Sequence, residues 1–125
     1  MIIPVPIVVL GGVFMAASYY EPRDLADFPH IGEDAPEQGA AFFDYYGKAT
    51  SAGTLSEREK SLIALAVATA RHCPYCIDAW TNKCMSLGIT SDEMMEAIHV
   101  AAAMTAGDVL AHATQMRKIL RKKEM

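Results

Sequence analysis

The chain has 125 residues, 52% of them apolar and 21% charged. That length suits one domain with one core, and the composition excludes a disordered chain. A formal net charge of -4 supplies no electrostatic reason to bind nucleic acid. Three cysteines cannot all pair within one chain, which argues against a disulfide scaffold and for a reducing cytoplasm, where a disulfide is transient and catalytic.

Residues 1–17 form an apolar N-terminal extension. No Lys or Arg precedes the apolar run, as a signal peptide would require. The run is short for a membrane span and is broken by Pro4, Pro6, Gly11 and Gly12. Three readings remain, in order of preference: a mis-assigned start with the natural one at Met15, an arm buried on a neighbouring subunit, and a signal peptide. The first reading makes the first 14 residues dispensable. Residues 18–125 read as a single all-helical domain.

Residues 18–35, with Pro22, Pro29 and Gly32, read as an acidic, mostly irregular lead-in. A helix is expected from Pro36 with Asp34 as its cap, presenting Ala40, Phe43, Tyr45 and Tyr46 and fading by Gly53. Ser56-Glu57-Arg58-Glu59 is a capping box that opens a second helix. Its run of Leu62, Ile63, Leu65, Ala66, Val67, Ala68 and Ala70 is apolar on most sides, which predicts burial on most sides, by other subunits as well as its own core. His72 ends it. Pro74 suits the first position of a third helix, which makes Cys73 the cap and Cys76 the third helical residue, with Gly88 as the stop. Thr90-Ser91-Asp92-Glu93 is a second capping box, for a helix expected to reach Gly107. Asp108 is expected to cap a last helix through Leu120. The basic cluster from Arg117 to Lys123 complements that helix's C-terminal dipole. The class is all-α.

Cys73-Pro74-Tyr75-Cys76 carries the chemistry. A sulfur at a helix N-cap faces unpaired N–H groups and the positive end of the dipole, both of which favour the thiolate. Residues three apart on a helix lie near the ~5.5 Å Cα separation that a disulfide prefers. Redox chemistry, a metal site and two packed thiols are the competing readings, and Pro74 with the helix start favours the first. Cys84 lies eight residues beyond Cys76 on the same helix, about 12 Å along its axis. Sulfurs on one zinc lie within about 4 Å of each other, so no metal is expected within the chain, nor a three-thiolate arsenic site. Cys84 is expected to be a packed core thiol.

An apolar helix, Leu62-Ile63-Ala64-Leu65-Ala66-Val67-Ala68, followed by Cys-Pro-Tyr-Cys resembles the carboxymuconolactone decarboxylase superfamily, in its thiol-bearing alkyl hydroperoxidase D-like branch. The resemblance covers about residues 36–120. More narrowly, Ser18-Tyr19-Tyr20-Glu21-Pro22, the motif with Ile77-Asp78-Ala79-Trp80-Thr81, and His99-Val100-Ala101-Ala102-Ala103 resemble peroxidase-like proteins associated with arsenosugar biosynthesis. The family implies an all-helical bundle and a homo-oligomer, trimer or hexamer. It also implies peroxide reduction through a reversible Cys73–Cys76 disulfide recycled by a thiol reductant, with Cys76 meeting the peroxide and Cys73 resolving it. Cap geometry instead favours Cys73 as the more ionised thiol, the one suited to exchange with a reductant. No cofactor is implied.

The family's proton relay does not carry over. Its Glu, twelve residues before the first cysteine, falls on Ser61, and its two His fall on Tyr75 and Trp80. Glu59 is two residues from the Glu position and has a capping role. Trp80, one turn beyond Cys76, is placed to shield the sulfur. Substitute proton donors are His72, Tyr75, His99 and His112, each with a plain surface or core role as its competitor. The leading expectation is a cytoplasmic thiol oxidoreductase acting on a peroxide or small oxidised substrate, without nucleic acid or membrane as partner. The alternatives are a decarboxylase-like non-redox enzyme and a thiol-based arsenic-binding accessory protein.

Overall fold

The computed structural model describes residues 20–125 and the backbone of 7–10 and 13–16. Strands β1 (Ile7–Leu10) and β2 (Val13–Ala16) pair antiparallel, with Ile7 opposite Ala16 and Leu10 opposite Val13. The three readings of this extension, a mis-assigned start, an arm and a signal peptide, concern residues that lie largely outside the described ones.

The domain that follows is all-α, as expected. Its first element corrects the expectation of an irregular lead-in: a 3-10 helix runs Pro22–His30. Pro22 opens it, and Leu25 and Phe28 are its half-buried residues. At three residues per turn these two, with Ile31 just beyond, fall in one line.

Helix α1 spans Pro36–Thr50. Its cap is Ala35 and not Asp34, and no side chain caps it. Pro36 at the first position needs no N–H partner, so the start holds without one. The 3-10 helix and α1 are joined by rings. Phe28 stands edge-on to Phe43 at 5.4 Å and to Tyr46 at 6.1 Å, and Tyr46 reaches Trp80 at 6.4 Å. The turn between them also needs Gly32 and Gly39. A Cβ on Gly32 would lie 2.7 Å from the Gly39 Cα, so the two backbones approach as only glycines allow.

Helix α2 (Glu57–Ala70) starts on the expected capping box, with Ser56 accepting the Glu59 N–H and Glu59 accepting the Ser56 N–H. Helix α3 (Pro74–Ser86) starts at Cys73 and is stopped by Gly88 at φ 73°. Helix α4 (Ser91–Lys123) starts on the Thr90–Glu93 box and runs 33 residues unbroken. The expected break at Gly107 and the Asp108 cap are therefore wrong. An interior glycine costs a helix only about 1 kcal/mol, and no proline stands nearby to enforce an end.

α2 packs along α3 and α4. Leu65, Cys84 and Ile89 form the buried centre, with Leu62, Trp80, Leu87 and Met94 against it. Lys83–Glu57 ties α3 to α2, and Arg58–Glu93 ties the start of α2 to the start of α4. Among the described residues the core is small, and α4 has no buried residue. By length and composition α4 is also the one described helix able to cross a membrane.

Candidate functional site

The site forms where α2 hands over to α3. The Arg71 and His72 N–H groups donate to the Val67 and Thr69 carbonyls at 2.9 and 3.1 Å. His72 takes the left-handed conformation, φ 57°, in the position where a helix end most often has glycine. That turn sends the Cys73 N–H back to the Ala68 carbonyl at 3.1 Å and leaves Cys73 as the N-cap of α3. Pro74 then occupies the first helical position.

The Cys73 sulfur accepts the Cys76 N–H at 3.2 Å, and the two residues are joined as a disulfide with Cα atoms 5.3 Å apart. The bond closes within one helical turn. Both cysteines are half-buried and line a cavity of about 300 Å³ with Tyr75. Asp24, Leu25, Asp27, Phe28 and Ile31 form the other walls. Beside the cavity, the Tyr20 hydroxyl donates to the Asp78 carboxylate, whose other oxygen accepts from Asn82 at 2.7 Å, and the Tyr20 ring stands edge-on to Tyr75 at 5.0 Å.

Residues 36–116 match the carboxymuconolactone decarboxylase family. The chain belongs to this family. Its all-α bundle and its CxxC are consistent with the alkyl hydroperoxidase D-like branch. A crystal structure of a protein from Methanobacterium thermoautotrophicum is similar at 34% identity and a TM-score of 0.64, over 67% of this chain and 94% of that one. The apo form of a carboxymuconolactone decarboxylase family protein from Legionella pneumophila is similar at 30% identity and a TM-score of 0.61, over 74% of this chain and 84% of that one. "Uncharacterized protein 4 in cox locus" of Paracoccus denitrificans is 44% identical over 68 residues, 54% of this chain. That match spans 61% of the relative's length.

The family's relay positions have other work here. Ser61 is buried at 1% exposure and donates its hydroxyl to the Glu57 carbonyl at 2.8 Å. Trp80 packs against the Leu65–Cys84–Ile89 centre and Tyr46, and is not among the residues lining the cavity. Tyr75 alone of the three faces it. Glu59 is fully exposed, and the backbone and side-chain hydrogen bonds to Ser56 hold its carboxyl below the usual range. The other candidates separate. His72 lines a second hollow, of about 640 Å³, between α2 and α4. His99 and His112 are exposed on α4 and line neither cavity, and His112 hydrogen-bonds the Asp108 carbonyl at 2.7 Å. Cys84 is fully buried, and that burial pushes its thiol up, Arg58 opposing in part. Among the described residues no group of His, Cys, Asp and Glu is arranged to hold a metal.

The lead-in residues at the cavity escaped the sequence reading. Their signal was present as a period of three: Leu25, Phe28 and Ile31 on one line, Asp24 and Asp27 on the next.

Proposed function

We propose that this protein is a CxxC thiol oxidoreductase that reduces a peroxide or related small oxidant, forming the Cys73–Cys76 disulfide, which a thiol then reduces. The observation that carries the reading is the bridged pair at the start of α3, with both cysteines lining one cavity. The Cys76 thiolate attacks a peroxide oxygen and the O–O bond breaks, leaving a sulfenic acid and an alkoxide or hydroxide that takes a proton from water. The Cys73 thiolate then displaces hydroxide, which leaves as water, and the disulfide forms. The N-terminal position of Cys73 and its contact with the Cys76 N–H favour its thiolate when the bond opens.

Turnover of simple peroxides is slow in this reading. Positioned acid–base groups contribute ~10²–10⁴-fold, and Ser61 and Trp80 hold the core where the family has its Glu and a His. Restoring the relay through Ser61→Glu would place a carboxylate in the core, so a gain in rate comes with a loss of stability.

The stable unit is a homo-oligomer, trimer or hexamer, in the cytoplasm. Support comes from the hollow between α2 and α4, walled by Ile98, Ala101, Ala102, Thr105 and Val109 at helical spacing, and from Val100, Met104 and Leu110, each more than 60% exposed. Copies of the same chain cover these faces. Neither membrane nor nucleic acid is a partner. Light scattering giving 13.6 kDa at micromolar concentration would overturn the assembly.

The test of the chemistry is thiol titration with mass mapping before and after one equivalent of peroxide. The expected product retains one free thiol, Cys84, with the Cys73 and Cys76 peptides linked. Peroxide that leaves all three thiols free would refute the proposal.

A further inference from the structure

Apart from the motif itself, the cavity at the disulfide is walled by one short stretch of chain. Leu25, Phe28 and Ile31 bring apolar surface, and Asp24 and Asp27 bring carboxylates. The charge of this stretch is one-sided. Residues 20–35 hold Glu21, Asp24, Asp27, Glu33 and Asp34 against Arg23 alone, a balance equal to the -4 of the whole chain. The Arg23 guanidinium is turned to Glu21 at 3.6 Å and the His30 ring to Glu33 at 2.9 Å. Among the described residues neither Asp24 nor Asp27 has an ion-pair partner. Arg71 and His72, the basic side chains nearest Cys73 in sequence, are not among the lining residues, and His72 lines the other hollow. The segment that covers the disulfide is therefore the segment that carries the protein's net negative charge.

We infer that the reductant of this disulfide is a thiol whose body is cationic or neutral, and that Asp24 and Asp27 slow attack by thiols with anionic bodies. The inference rests on the redox reading of the pair. A thiolate attacks one sulfur, the Cys73–Cys76 bond breaks, and a mixed disulfide and one protein thiolate result. A second thiolate attacks the mixed disulfide and releases the second protein thiolate and the reductant's own disulfide, and the protein thiolates take protons from water. The attacking sulfur is negative in every case. A cationic body brings it in as a net-neutral zwitterion, a neutral body as a monoanion, an anionic body as a dianion. Two exposed aspartates lining the cavity rank these in that order, and apolar walls that solvate an anion poorly sharpen the ranking.

The test uses the oxidised full chain and three thiols of similar size: cysteamine, 2-mercaptoethanol and 3-mercaptopropionate. Reduction rates are measured for the parent and for the Asp24→Asn/Asp27→Asn variant. Dividing variant by parent for each thiol cancels that thiol's own reactivity. The expected ratio is about 3–10 for 3-mercaptopropionate at low salt, smaller for 2-mercaptoethanol, and near or below one for cysteamine. In the parent alone, raising salt towards 1 M should speed 3-mercaptopropionate relative to cysteamine, because the screening length falls to about 3 Å. Equal ratios for the three thiols, or a parent whose thiol preference ignores salt, overturn the inference and leave the redox reading standing. A disulfide that none of the three reduces overturns both.

Discussion

Three helices in this protein begin at the same two positions with different atoms. α2 has Ser56 at the cap and Glu59 at the third position, α4 has Thr90 and Glu93, and α3 has Cys73 and Cys76. In the first two, a hydroxyl accepts the third residue's N–H and a carboxylate reaches back to the cap N–H. α3 keeps the first half of this exchange, with sulfur as the acceptor at 3.2 Å. It does not need the second half. The tight turn after α2 has already satisfied the Cys73 N–H with the Ala68 carbonyl. The third residue of α3 is thereby released from capping, and its side chain is free to bond the cap residue covalently. A capping box brings two side chains within reach of each other; with cysteine in both places, the same geometry closes a disulfide.

The strongest way to break the comparison is to return α3 to an ordinary start. Cys73→Ser and Cys76→Ser should each abolish the disulfide completely, read as the absence of the linked motif peptides in mass mapping. Cys73→Ser restores a hydroxyl cap, whereas Cys73→Ala removes the acceptor. In the absence of any disulfide the serine variant should exceed the alanine variant by about 0.5–2 kcal/mol in a urea melt. Equal stabilities would show that the sulfur's place at the cap is incidental to the fold.

The far end of α3 sharpens the contrast, because Cys84 shares the helix and none of the chemistry. Fully buried, with its thiol pushed up by that burial, it should resist iodoacetamide at neutral pH until the protein unfolds. Cys84→Ser should cost about 1–3 kcal/mol, the penalty of a hydroxyl in an apolar site. The Cys73–Cys76 disulfide should still form. A mapped bond between Cys84 and either motif cysteine would contradict the separation along the helix.

Much of this was legible because the deciding signals are local. Ser56–Glu59 and Thr90–Glu93 state their own hydrogen bonds, Pro74 marks a first helical position, and Gly88 marks a stop. The cavity was not legible, because its walls come from a segment whose period is three, and the amphipathic patterns sought were those of α-helices and strands. The missing break in α4 has a different cause: Gly107 and Asp108 permit an end but do not compel one, and alanine-rich sequence on both sides favours continuing. Asp108 instead hydrogen-bonds His112 along the unbroken helix.

The turn before α3 can be tested without touching sulfur. His72 holds φ 57°, a conformation that costs a non-glycine residue roughly 1 kcal/mol. His72→Gly relieves it and should raise stability by up to about that amount. The same variant decides whether the imidazole takes part in the chemistry. An unchanged rate of peroxide oxidation assigns His72 to the turn, and a drop of tenfold or more assigns its side chain to proton transfer.

The smallest effect separates the carboxylate starts from the sulfur start by pH. Hydrogen bonds from Ser56 hold the Glu59 carboxyl below its usual 4.5, and Arg58 followed by Thr90 does the same for Glu93. A group whose folded value lies below its unfolded value stabilises the protein above the unfolded value and loses that contribution as pH falls through the folded one. Glu59 is exposed and Glu93 partly exposed, so solvent screening keeps the effect modest. Urea midpoints should therefore fall as pH drops below 4.5, and the Glu59→Gln/Glu93→Gln variant should fall less. The two curves should lie apart near neutrality, with the parent higher, and converge in acid. α3 has no carboxylate at its start, so oxidised and reduced parent should show parallel acid limbs whatever their separation. A parent and a glutamine variant with the same acid slope would remove the two boxes as its cause. An acid slope that changes with the state of the disulfide would instead place the titrating group beside Cys73.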